Sequence, residues 1–132
     1  MSTNRNFIQD SIVYLLNEEG QTAAVAGYIS KKKNVLIPRS INSKSKEYFV
    51  NTIMENSLCR GGFKSIEFPE DSKLQTIEPC SLYGNSIETI TFPPELIDLK
   101  DFWCIGLGSI YSVSVSPLNK KYCSYNNNEM IL

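Results

Sequence analysis

The side chains of this chain that could do chemistry are four cysteines, a lysine run, several paired acids and a scatter of serines. Each asks for a partner that the sequence does not supply. No histidine occurs in 132 residues, which removes Ser-His-Asp and Cys-His catalysis together with the commonest metal ligand. Cys59, Cys80, Cys104 and Cys123 form no Cys-x-x-Cys pair and no zinc spacing, so they read as reduced, buried thiols rather than ligands or a disulfide ladder. Glu70-Asp71 and Asp98/Asp101 lack the spacing of a calcium loop and read as solvated turn acids. Gly61-Gly62 is followed by no Lys-Ser/Thr pair, so it is no phosphate loop, and no serine stands in a Gly-x-Ser-x-Gly elbow. Lys31-Lys-Lys33 is too short, and too free of interleaved aromatics, for a nucleic-acid surface. The reading is a protein that is not an enzyme, holds no metal or cofactor and binds no nucleic acid.

Composition is that of one folded domain, with 42% apolar residues and a net charge of −1. No apolar run approaches the roughly 20 residues of a spanning helix, which argues against membrane insertion. The first ten residues lack an apolar leader core. Charge is uneven: residues 1–64 carry nine Lys/Arg and five Asp/Glu, residues 65–132 four and nine. In an elongated molecule that difference is a dipole along the axis.

Self-similarity is the stronger signal. Phe63-Lys-Ser-Ile-Glu-Phe-Pro69, Ile87-Glu-Thr-Ile-Thr-Phe-Pro93 and Ile110-Tyr-Ser-Val-Ser-Val-Ser116 share one apolar pattern, and Ile66, Ile90 and Val113 stand 24 and 23 residues apart. A period of that size marks a solenoid, whose units bury their apolar side only by stacking. Val35-Leu-Ile-Pro38 matches the later strand ends, where proline stops the ladder for want of an N–H. Val50-x-x-Ile53, Leu74-x-x-Ile77 and Leu96-x-x-Leu99, with Leu58, Leu82 and Cys104, form the backing of each unit, expected as a short helical or 3₁₀ turn. Ser57 and Ser81 are small where Trp103 is large.

These elements divide the chain into a flexible N-terminus (1–10) and a single domain (11–132). Within the domain, 11–32 is a β-hairpin cap with Gly20 in its turn, and the repeats run about 33–62, 63–86, 87–109 and 110–132. Residues 41–47 read as a polar surface loop. Alternation turns Phe63, Ile66, Phe68, Ile87, Ile90, Phe92, Ile110, Val113 and Val115 inward. It leaves three outward rows: Lys33, Lys64, Glu88 and Tyr111; Asn34, Ser65, Thr89 and Ser112; Leu36, Glu67, Thr91 and Ser114.

The unit Ser86-Ile87-x-x-Ile90-x-Phe92-Pro93, the Leu74-x-x-Ile77-x-x-x-Ser81-Leu82 backing and Ser116-Pro-Leu-Asn-Lys-Lys-Tyr122 resemble the BspA-like leucine-rich repeat surface proteins, of the type common in parasitic protists. The Tyr14–Tyr28 hairpin is similar to the segment that opens such arrays, and the resemblance spans residues 12–132. Trp103-Cys104 departs from the small-then-aromatic pair usual at that turn. The resemblance implies a leucine-rich repeat solenoid, mixed α/β with a strand plus turn or short helix per repeat. It also implies a surface antigen acting in cell adhesion, by binding host or self surface proteins. The lack of a leader instead points to a cytoplasmic setting or leaderless export. Candidate protein-binding residues are Lys33, Lys64, Glu67, Glu88, Thr91, Tyr111 and Ser114. The alternative is a structural subunit that self-assembles through its solenoid ends. Tyr125, Met130, Ile131 and Leu132 are then the candidate contacts of a homodimer, since an apolar terminal strand would offer an open edge.

Overall fold

A computed structural model of the chain describes residues 4–125 and 129–131. Its first strands form an antiparallel meander: β1 (Asn4–Gln9), β2 (Ile12–Asn17) and β3 (Thr22–Tyr28). β2 alternates cleanly, burying Ile12, Tyr14 and Leu16 while the residues between them stay partly wet. The β1–β2 turn is the pair Asp10-Ser11, with φ of 51° and 68°. Two consecutive left-handed residues give the turn whose twist matches paired strands, and Asp tolerates that region. The cap therefore has three strands, and within the expected flexible N-terminus (1–10) the residues Asn4–Gln9 form β1. The positive φ of the next turn lies at Gln21 (51°), while Gly20 N–H donates to Asn17 Oδ1 at 3.2 Å.

The solenoid coil begins with β4 (Asn34–Leu36), followed by β5 (Ser40–Ser43) and β6 (Lys46–Ile53). Residues 41–47 belong to a tight β5–β6 hairpin rather than a loop, closed by Lys44 and Ser45 at φ 51° and 66°. Ile41, Ser43, Tyr48 and Val50 are its buried set, so the polar run hid a period-two pattern.

Each later coil has two straight sides and a turn. One side carries β7 (Ser65–Glu67), β9 (Thr89–Phe92) and β11 (Ser112–Val115) beside β4. β4 pairs with β7, Val35 opposite Ile66, and β9 pairs with β11, Ile90 opposite Val113, both in parallel. No ladder joins β7 to β9, although Ser86 N–H reaches Phe63 O at 3.0 Å just before the gap. This side is thus two two-stranded ladders side by side. The second side carries β8 (Thr76–Ile77) and β10 (Asp98–Leu99), which extend the β3–β6 edge as parallel strands.

No helix occurs among the described residues, so the mixed α/β expectation is corrected. The backing of each coil is strand and turn. Left-handed residues explain it: Asn56, Arg60 and Gly62 in one turn, Cys80 and Gly84 in the next, Phe102 and Gly106 in the third, all at φ between 53° and 78°. Such residues every four or so positions interrupt any right-handed helix. The turns stack through their own main-chain ladder, Leu58 N to Ser81 O (2.9 Å), Arg60 N to Tyr83 O (2.7 Å) and Cys80 N to Phe102 O (3.1 Å).

The core lies between the two sides. Phe63, Ile66, Ile87, Ile90, Phe92, Leu74, Ile77, Leu96, Leu58 and Leu82 are all buried. Asn85 is buried among them and bonded at both ends of its amide: Nδ2 donates to Leu58 O (2.7 Å) and Leu82 O (2.9 Å), and Oδ1 accepts from Phe63 N (3.0 Å). One side chain therefore ties two coils. In the third turn the expected inward Cys104 is exposed, and Trp103 turns in instead, its ring 5.0 Å from Phe92 in an edge-to-face pair.

Past β11, Asn119 repeats the role of Asn85, donating to Pro93 O (2.9 Å) and Leu96 O (3.0 Å) and accepting from Lys121 N and Tyr122 N. Tyr122 is buried, and its hydroxyl accepts the Leu99 N–H of β10 at 3.0 Å. β12 (Cys123–Tyr125) and β13 (Glu129–Ile131) then pair antiparallel beside β11.

Candidate protein-binding surface

The ladders of β4–β7 and β9–β11 bring the outward rows together. Asn34 stands opposite Ser65, Leu36 opposite Glu67, Thr89 opposite Ser112 and Thr91 opposite Ser114. Lys33 O accepts from the N–H of Lys64 (2.6 Å) and of Ser65 (3.2 Å), and Glu88 O accepts from Tyr111 N–H (2.9 Å). Lys33, Lys64, Glu67, Glu88 and Thr91 are exposed, Ser114 is half-buried, and Tyr111 is 72% exposed. Hydroxyls bridge the strands at the surface: Ser65 Oγ donates to Asn34 Oδ1 (2.8 Å), and Thr91 Oγ1 and Ser114 Oγ lie 2.8 Å apart. These short side chains bond one another across each ladder. Along the coil axis the first row passes from Lys33 and Lys64 through Glu88 to Tyr111, so charge changes sign along the face.

Two depressions cut this surface. One, of about 320 Å³, follows the gap between β7 and β9 and is lined by Ser65, Ile66, Glu67, Phe68, Thr89, Ile90 and Thr91. The other, of about 490 Å³, separates the cap from β4. Asp10 and Leu36, the latter 59% exposed, both line it. Sequence reasoning missed Asp10 by assigning residues 1–10 to a flexible tail. The left-handed-tolerant Asp10-Ser11 pair between apolar residues was the available turn signal.

The self-association candidates fall elsewhere. Tyr125 belongs to β12 and pairs with Glu129; Met130 pairs with Ser124 and Ile131 with Cys123. Leu132 lies outside the described residues. The strand carrying Met130 and Ile131 is thus paired within its own chain.

No group of three or more His, Cys, Asp or Glu able to hold a metal occurs among the described residues. Cys59 is half-buried: its Sγ donates to Cys80 O at 3.2 Å, and burial, then the nearby Cys80, raises its pKa above the ordinary value. A thiol held protonated is a poor nucleophile. All four cysteines are free, and Cys104 and Cys123 are exposed rather than buried as expected. Glu18, beside Arg5 at 2.6 Å, is lowered by that hydrogen bond and Arg5 is raised by it, a surface pair that pins β1 to the β2–β3 turn. No helix among the described residues is long and apolar enough to cross a membrane.

No protein-family model matches the chain, and no curated protein does. Solved structures do. The pneumococcal vaccine antigen PcpA superposes with a TM-score of 0.60 at 16% identity, over 92% of this chain and 40% of its own length. A leucine-rich repeat protein from Bacteroides capillosus gives 0.59 at 14% identity, over 84% of this chain and 98% of that one. The chain therefore spans less than half of the antigen and nearly all of the second protein. The fold is a leucine-rich repeat solenoid.

Proposed function

We propose that this protein is a non-enzymatic protein-binding module of the adhesion type, whose strand face and edge loops recognise a surface protein by shape and charge. The carrying observation is the alignment of Lys33, Lys64, Glu88 and Tyr111 along one exposed row, with Glu67, Thr91 and Ser114 in the adjoining one. Short polar side chains bond across each ladder, and exposed Tyr111 offers a large contact with few torsions to immobilise. The likeness to an antigen and to a leucine-rich repeat protein favours this class of activity, as does the resemblance of the repeat motif to BspA-like surface proteins. The test is surface capture of host-cell and self surface proteins by the immobilised chain, compared with a variant replacing Lys33, Lys64, Glu88 and Tyr111 by alanine. The variant should keep its melting curve and lose capture. If capture survives there but vanishes on changing Asn42 and Glu47 in the β5–β6 hairpin, the face is the wrong surface.

The second reading is self-assembly through the solenoid ends, and the charge division between residues 1–64 and 65–132 gives it a rival geometry, the basic half of one copy against the acidic half of the next. Copies would associate through their solenoid ends into a homodimer, with Tyr125, Met130, Ile131 and Leu132 at the contact. Light scattering over a concentration series decides it. A contact held by apolar residues persists at about 1 M salt, where the screening length is roughly 3 Å, and is lost on deleting residues 130–132. One held by charge dissociates in salt, and a monomer at every concentration rejects the reading.

A further inference from the structure

We propose that the outer edge of β4 is a strand-addition site for an extended peptide that carries a lysine or arginine. The inference rests on the protein-binding reading and names the partner's chemistry at one part of the face.

Main-chain direction identifies the edge. Lys64 N–H and Ser65 N–H both donate to Lys33 O, and Ile37 N–H donates to Glu67 O. With Asn34 opposite Ser65 and Leu36 opposite Glu67, the groups that β4 turns toward β7 belong to Lys33, Val35 and Ile37. Alternate residues of a parallel strand serve opposite edges. The N–H and C=O of Asn34 and of Leu36 therefore point away from β7, and no described strand pairs with that edge. A free row of main-chain donors and acceptors is a template for another strand.

What lies beyond the edge is open rather than filled. The groove of about 490 Å³ lies between the cap and β4 and reaches over β4 to Ser65 and Glu67 of β7, within the size range of sites that hold a peptide fragment or small ligand. Its far wall is Gln9, Asp10 and Ile12. That wall is held in place: Lys32 Nζ donates to Asp10 O at 3.1 Å, and Ser30 Oγ lies 2.9 Å from Ser11 Oγ. The groove is thus built from a fixed turn on one side and a strand edge on the other.

Side chains define the occupant. Val35 and Ile12 are buried at the floor, so a strand residue pointing inward must be small and apolar. Leu36, at 59% exposure, gives an apolar neighbour for an outward residue. The exposed carboxylates of Asp10 and Glu67 flank the groove, while the one lysine lining it, Lys32, is turned to the Asp10 carbonyl. Exposed Lys33 and Lys64 stand just before β4 and β7, but the lining itself holds two carboxylates against one ammonium, so a basic side chain seated between Asp10 and Glu67 is favoured over an acidic one.

The probe is an acetylated, amidated hexapeptide, Lys-Val-Thr-Val-Thr-Lys, added at millimolar concentration to the full chain. Amide exchange of Asn34 and Leu36, read by NMR, should slow at least about tenfold on saturation. A version N-methylated at alternate residues keeps every side chain but loses the donors, and should give no protection. Leu36→Pro removes one free donor without touching the β4–β7 ladder, because edge strands accept proline where the N–H faces outward. It should keep the melting curve and weaken the hexapeptide at least about tenfold. Asp10→Asn with Glu67→Gln should weaken it while leaving Asn34 and Leu36 pairing detectable at higher peptide concentration. Equal binding of the N-methylated peptide, protection confined to other strands, or no protection overturns the proposal. So does protection of these amides without peptide that grows with protein concentration, which would mean a second copy occupies the edge. Loss of surface-protein capture in the Lys33/Lys64/Glu88/Tyr111 variant with the hexapeptide still bound separates this site from the broader face.

Discussion

Asn85→Ala should be among the most damaging polar substitutions in the chain, and its cost can be worked from three bonds. The side-chain amide gives 2.7 Å and 2.9 Å hydrogen bonds to Leu58 O and Leu82 O and takes one of 3.0 Å from Phe63 N. Leu82 O keeps a second donor, Asn85 N–H at 3.4 Å, which the substitution leaves in place. Leu58 O and Phe63 N lose their partner at a site where both residues are fully buried. Each orphaned group costs about 1–3 kcal/mol, so the pair costs about 3 kcal/mol, a melting loss of roughly 10 °C for a domain this size. Urea unfolding by circular dichroism measures it. Asn85→Asp gives a sharper sign. A carboxylate has no donor for the two carbonyls, so its pKa is raised in the folded chain above the ordinary ~3.9 of an aspartate. The unfolded chain then releases its proton first, and stability falls as pH rises from about 4 through the raised folded value. Asn85→Asp should be worse than Asn85→Ala at pH 7 and recover part of its loss below about pH 4, where the protonated acid donates. A loss under about 1 kcal/mol for Asn85→Ala would refute the claim that this amide ties the first two coils.

The repeat register predicts that Ile90→Asp, which puts a charge where only 2% of the residue is exposed, loses more than about 4 kcal/mol, while Thr91→Asp stays within about 0.5 kcal/mol; equal melting losses would contradict the register. Tyr122→Phe removes the acceptor of Leu99 N–H, so it should cost about 1 kcal/mol and speed hydrogen exchange at Leu99 with little change at Ile53. Burial, helped by Asp10, pushes the Tyr14 phenol up to about 12 from 10.0, so the folded chain holds a proton that the unfolded chain releases. Stability should then fall as pH rises from 10 to 12, by up to about 3 kcal/mol, and a Tyr14→Phe titration should be flatter across that window.

Strand positions were readable because their causes are local. Side chains alternate with period two whatever the strand packs against, and proline stops a ladder wherever it stands. Val35, Ile66, Ile90 and Val113 could therefore be placed in register from spacing alone, and the ladders pair Val35 with Ile66 and Ile90 with Val113. The outward residues Lys64, Glu88 and Tyr111 followed from the same alternation. Tertiary structure decided the rest. Asn4–Gln9 has weak alternation and becomes a strand only because β2 offers an edge. The apolar intervals of the backing fit a helical turn as well as a stacked one. Leu58 N–H and Cys80 N–H chose partners in the next coil, which no single repeat contains. Trp103 displaced Cys104 because Phe92, a residue of the neighbouring side, was there to receive an indole edge. The slot beside β4 arose the same way, from a cap turn at Asp10-Ser11 held in place by Ser30 and Lys32. Alternation fixes which way a side chain faces; only the packed coils fix what it meets, because the groups that meet are a full repeat or more apart along the chain.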